Sequence, residues 1–248
     1  FNCINLETIS FPNLTSLGTN VFASCSVLQH LSLPLLTTLT INTATGCSNL
    51  FKIRVPSVST VQNEVFKNCY RLKIINLPLC TSIGTQAFQK CHALTSINLP
   101  LCTTVGEYGF GDNNILYTIN LPVVTTIGNY VFQNCFRLRE VNFPLTTTIG
   151  IGCFQNCFKL KTVILNSITT LSSNLFSSCH SLTKVECLSA TNVLDSAFVN
   201  CYSLRTFSNN SITTLGNNIF QNCFRLVKVL LPNTTSVGNY VFDACYYL

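Results

Sequence analysis

The chain has 248 residues, 47% of them hydrophobic and only 9% charged, with a formal net charge of +6. The apolar excess does not make a membrane span, since no apolar run reaches the ~18 residues that one needs. The modest charge and the lack of a recognised nucleic-acid motif make nucleic acid an unexpected partner.

Taken from the N-terminus, the chain returns to itself every 22 residues. Cysteine recurs at Cys3, Cys25, Cys47, Cys69, Cys91, Cys135, Cys157, Cys179, Cys201, Cys223 and Cys245, and only Asn113 breaks the row. Leucine follows three residues later in every coil, from Leu6 and Leu28 to Leu226 and Leu248. No insertion or deletion disturbs the spacing, and a period held this strictly predicts a stacked solenoid. Residues 1–248 therefore read as a single solenoid. Both Phe1 and Leu248 fall inside a repeat, so the chain is expected to be a segment of a longer one. The absence of a signal peptide then says nothing about compartment.

One coil, Cys69 to Lys90, serves as template. The alternation over Ile75 to Leu77 predicts a strand with Ile75 and Leu77 inward and Asn76 outward. Pro78 ends it, because proline has no N–H for the ladder. Ile83 is the next apolar anchor. Gly84 follows, in a glycine column that predicts a turn with positive φ. Ala87 and Phe88 return to the core, and the phenylalanine column from Phe22 to Phe242 is expected to stack along one side.

The strings L-x-x-I-x-L-P, at Leu72 to Pro78, and I-G-x-x-A-F-x-x-C, at Ile83 to Cys91, resemble the BspA-like class of leucine-rich repeats over the whole chain. That resemblance implies a leucine-rich repeat solenoid, right-handed and gently curved. It also implies a surface protein of a bacterium or protist, extracellular or at the cell surface, with an adhesive role. Repeats in that family are commonly one residue longer, and asparagine and threonine are unusually frequent here, so the partner does not transfer. A 22-residue coil has no room for a full helix. The far side is expected to hold short extended segments and turns, with a turn of 3₁₀ near Gln86–Phe88. About eleven coils at ~4.8 Å each give a mainly β rod roughly 50 Å long.

Stacked cysteines lie about 5 Å apart at Cα, yet parallel side chains keep their Cβ atoms too far apart for the usual disulfide. The column reads as buried thiols acting as small hydrophobes. The repeat weakens from Asn166 to Asn210, where proline and glycine are lost and Asn209 falls at an inward position; Thr40, Ala44 and Gln62 mark an earlier weak zone. Either zone is drift in a tolerant stack or a bulge that forms a niche.

Eleven of the fourteen Lys and Arg stand two, four or five residues after the cysteine, in the band leading into the strand. One residue after the cysteine runs an aromatic column. Together they outline a candidate binding stripe: Tyr70, Arg71, Lys73, Phe136, Arg137, Arg139, Phe158, Lys159, Lys161, Arg205, Phe224 and Arg225. Aromatic beside cation suits a protein or acidic glycan partner. The same rings also suit packing from rung to rung. Paired hydroxyls such as Thr81-Ser82 and Thr103-Thr104 read as a ladder onto turn backbone. Their outer row is open to O-glycosylation, or to a flat array like that of ice binders. Sequons place candidate N-glycosylation at Asn13 and Asn233, whereas Asn209 sits in an inward register. Asparagines before the cysteine (Asn2, Asn68, Asn134, Asn156, Asn200, Asn222) are expected to close a turn through their side chains. Asn76, Asn98, Asn120 and Asn142 are placed to form an outward ladder.

Nothing here outlines a catalytic constellation, a metal site or a cofactor site. His30, His92 and His180 lie coils apart. Two readings remain. One is a non-enzymatic adhesion protein that binds along the rod. The other is a structural repeat that associates end to end into a filament or surface layer, since no polar cap is visible at either terminus.

Overall fold

The computed structural model describes residue 3 and residues 5–248. Eleven three-residue strands, from Thr8–Ser10 to Lys228–Leu230, form a first face. Ten two-residue strands, from Thr38–Leu39 to Ser236–Val237, form a second. Every pairing is parallel and one repeat apart, as in Thr8 with His30 and Thr38 with Thr60. Among the described residues there is no helix, so none is long and apolar enough to cross a membrane.

In the template coil the first-face strand is Ile74–Asn76, one residue earlier than the alternation predicts. Leu77 is buried just beyond it. The second-face strand Ser82–Ile83 is longer-range structure than the extended segment foreseen there, since it pairs with Thr60–Val61 and Thr104–Val105. The first face parts into four ladders and the second into two. One first-face parting, between Lys184–Glu186 and Thr206–Ser208, falls in the weak zone; the other two lie between well-formed repeats. Asn209 stays buried in that zone. Its Nδ2 donates to the Cys187 carbonyl at 2.7 Å, and its Oδ1 accepts from the N–H groups of Ser211 and Ile212.

On the third side the backbone N–H groups alternate in direction. Gln86, Phe88 and Lys90 donate forward to Glu107, Gly109 and Gly111 of the next coil. Ala87, Gln89 and Cys91 donate back three residues within their own coil. The expected 3₁₀ turn is therefore broken at Phe88, whose N–H leaves the coil. Left-handed backbone at Gln86 (φ 55°) and Lys90 (φ 60°) accompanies the alternation. The equivalent positions fall on twenty non-glycine residues, nine of them asparagine. Left-handed backbone costs ~1–2 kcal/mol for most residues, and asparagine tolerates it better than most. This accounts for the asparagines before the cysteine. Their side chains bond up the stack rather than closing a local turn: Asn156 donates to Asn134 and Asn222 to Asn200, at 2.8 and 2.9 Å. Asn2 of that column lies outside the described residues.

The glycine column has a different cause from the one its position suggests. Gly84 is not left-handed. A Cβ there would lie 2.5 Å from the Gln62 carbonyl carbon and 2.7 Å from the Asn63 nitrogen of the preceding coil. The requirement is close approach between coils. At Gly18 the same Cβ meets nothing nearer than 3.8 Å.

Inside, the leucines, cysteines and phenylalanines fill one continuous core. Rings stack without interruption from Phe66 to Phe242, at centroid separations of 5.1–5.8 Å. Ala44 leaves Phe22 outside that run. From Cys47 onward each thiol of the cysteine column reaches the carbonyl 25 residues back, as Cys91 does to Phe66 at 3.2 Å. The thiol is thus a weak donor as well as a small hydrophobe. All fifteen cysteines are free. Burial pushes the thiols of the thirteen buried ones up, to about 12 at Cys47 and Cys223 and about 11 at Cys80 and Cys187. Asn113 takes the thiol's place by donating to the Phe88 and Phe110 carbonyls at 2.9 Å, which leaves its own Oδ1 buried without a partner.

Three outcomes follow from this packing. Asn113→Cys removes the orphaned oxygen and should raise stability by about 1 kcal/mol in denaturant titration. Gly84→Ala should cost about 2 kcal/mol through backbone overlap, with Gly18→Ala close to neutral in the same assay. Alkylation of the native protein, read by mass spectrometry, should reach the partly exposed Cys3 and Cys245 first. The thirteen buried thiols should react only after denaturation, because a buried, protonated thiol is a poor nucleophile.

Candidate functional site

The band after the cysteine owes its geometry to the leucine between its outward residues. Leu138 is fully buried, which turns Arg137 and Arg139 on either side of it to solvent. Backbone bonds then hold the columns in register: Lys161 N–H donates to the Arg139 carbonyl at 2.8 Å, and Thr183 N–H to that of Lys161 at 3.0 Å. Successive cations stand about 4.8 Å apart along the stack.

The twelve stripe residues do not form one site. Tyr70, Arg71 and Lys73 stand three repeats before Arg137. There, Tyr70 leans on His92 at 5.3 Å and Arg71 donates to Asn49 Oδ1 at 3.3 Å. Arg137, Arg139 and Lys159 come together around a groove of about 590 Å³, completed by Thr95, Ile115 and Tyr117. Lys161 is exposed on the same coil as Lys159, two residues further on. Further along, Arg205 and Arg225 share a groove of about 450 Å³ with Val227 and Tyr247. Sequence reasoning missed Tyr117, although it occupies the same column as Arg139 one repeat earlier. Its ring is 51% exposed.

Phe136, Phe158 and Phe224 are half-buried in a second stack, Phe136–Phe158–His180–Tyr202–Phe224–Tyr246, with centroids 4.5–5.7 Å apart. Phe158 and Phe224 have rings against both faces, which leaves their edges to a ligand, whereas Phe136 ends the stack with a ring on one face. Burial in this stack pushes the His180 pKa down, which favours the neutral ring. Among the described residues the ion pairs are Lys67–Glu64 at 3.0 Å and Lys184–Glu186 at 2.5 Å, and neither uses a stripe cation.

Other columns are occupied by the solenoid itself. The Thr103 hydroxyl donates to the Thr81 carbonyl and Thr125 to Thr103, a ladder that recurs at Thr191 and Thr213. In the outward asparagine row Asn120 donates to Asn98 at 2.6 Å. Asn13 and Asn233 are exposed, and Asn233 Nδ2 donates to the Asn210 carbonyl at 2.7 Å. Among the described residues no group of three or more His, Cys, Asp or Glu is placed to hold a metal ion.

Comparison with known proteins accords with this architecture. A protein from Faecalibacterium prausnitzii, described as a leucine rich cell surface protein, superposes with a TM-score of 0.60 at 20% identity, over 98% of this chain and 86% of its own. A leucine-rich repeat protein from Bacteroides ovatus superposes with a TM-score of 0.51 at 21% identity, over 97% and 85%. At such identities the likeness is one of fold. No curated protein matched the sequence. The model of the BspA type leucine rich repeat region matches residues 1–94, 59–183 and 125–248, six copies in all. The chain belongs to the BspA-type leucine-rich repeat family.

Proposed function

We propose that this chain is a non-enzymatic interaction module, displayed at a cell surface or outside the cell, which binds a protein or glycan partner along the solenoid. Family membership and the cell-surface description of the Faecalibacterium protein support the location. The observation that carries the binding role is the paired array of exposed cations, Arg137, Arg139, Lys159 and Lys161, with no carboxylate in ion-pair contact among the described residues. Charges left unpaired on a rigid scaffold raise association rates and select partners of opposite sign. Long, flat repeat surfaces suit extended partners.

Two measurements test this. Protease treatment of intact cells that express the full-length protein should release fragments of this solenoid, whereas complete protection would overturn the surface assignment. Purified chain should bind at least one member of a panel of matrix proteins and glycans. Reversing charge at Arg137, Arg139, Lys159 and Lys161 should weaken that binding about tenfold or more at low salt. Unchanged affinity would remove this patch from the function.

A further inference from the structure

The two grooves share a composition that narrows the partner. Arg137 and Arg139 are two residues apart on one coil, and Lys159 and Lys161 repeat the pair on the next. The result is a two-by-two array of exposed cations, about 5 Å by 7 Å between Cα atoms. In the coil before it, Ile115 lies in the column of Arg137 and Tyr117 in that of Arg139. Farther along, Arg205 and Arg225 again flank an apolar residue, Val227. Between the clusters the same columns carry Ser181, Thr183 and Ser203, small hydroxyls without charge. From Arg137 to Arg225 is four repeats, about 19 Å.

A matching ligand is extended, bears anionic groups along its length, and offers hydroxyls and apolar ring faces between them. Arginine forks pair bidentately with carboxylates and phosphates, and by the same planar geometry with sulfates. An exposed tyrosine adds an amphipathic surface for a sugar ring. A protein partner would want a desolvated apolar centre, whereas this line offers two small apolar spots, Ile115 with Tyr117 in one groove and Val227 with Tyr247 in the other, separated by the cations. The geometry points to a sulfated acidic polysaccharide lying along the Arg137–Arg225 line, with its strongest hold at Arg137, Arg139, Lys159 and Lys161. This inference rests on the surface-interaction reading and supplies the partner's chemistry.

The test uses the purified chain against immobilised heparin, fully desulfated heparin, neutral dextran and polyglutamate. Heparin should bind at low salt and weaken as salt rises toward about 0.15 M, where surface charges are screened beyond ~8 Å. Desulfated heparin should bind less tightly and dextran not at all. Replacing Arg137, Arg139, Lys159 and Lys161 by alanine should lower heparin affinity about 100-fold. A control of nearly equal charge change, alanine at Lys52, Arg54 and Lys90, should lower it less than about threefold, because those cations lie off the line. Tyr117→Ala, which alters no charge, should cost about tenfold if the ring packs on sugar. All these side chains are exposed, so circular dichroism of each variant should match the parent. Equal loss in the control, or none in the Arg137 set, overturns the site. Tight polyglutamate binding without heparin binding overturns the glycan and leaves the surface-interaction reading standing. Failure of every polyanion overturns both the glycan and the role of the cation stripe.

Discussion

The structure depends on hydrogen bonds that run between coils. A coil of this solenoid has no helix to satisfy its own backbone, so its N–H and C=O groups must be met largely by the coils before and after it. Lys73 and Ile74 donate backward to Phe51 on the first face, and Gly84 donates backward to Val61 on the second. Gln86, Phe88 and Lys90 donate forward on the third. Left-handed residues at both ends of this third-side run allow the reversal. A buried amide without a partner costs ~1–3 kcal/mol, and a one-residue insertion would orphan several at once. The invariant 22-residue spacing is the consequence of that constraint.

Once the coils are locked in register, the side-chain columns follow. Rings stack because equivalent phenylalanines cannot avoid each other at a step of about 4.8 Å. The cysteine column meets two demands together. Its site has room for little more than a small side chain, and a carbonyl 25 residues back has a lone pair to offer. Alanine would fill the space without donating. Asparagine donates more strongly but brings a second polar atom, and the unpartnered Oδ1 of Asn113 is the result. A thiol is the compromise that recurs.

Much of this was legible in the amino-acid order because the period is an arithmetic property. Leu72, Leu77, Ile83, Ala87 and Phe88 all take the inward positions their spacing assigns them. What escaped was anything decided by the neighbouring coil rather than by the residue itself. Gly84 looks like a turn residue, yet its reason is the backbone of Gln62 and Asn63 against it. Left-handed φ at Gln86, Lys90 and Tyr130 has no local signature, since none of these is a residue that favours it. The candidate stripe was readable as columns but not as grooves. Tyr117 differs from its column-mates in type, and only stacking puts it next to Arg139. Conversely, Tyr70, Arg71 and Lys73 share the pattern and are set apart by three repeats.

The same locking separates stability from recognition. Inward columns must be nearly uniform, because each member packs on two copies of itself. Outward positions two and four residues after the cysteine lie outside the core, half-buried or exposed, so their identity varies from Ala93 and Thr95 to Arg137 and Arg139. Their Cα positions, however, are held by inter-coil bonds on both sides. A cation placed there is carried on a rigid backbone, and a ligand that spans several coils meets an array already in place. Preorganisation of this kind lowers the ordering cost of binding. Chemical variety can therefore gather on the Arg137–Arg225 line without disturbing the core.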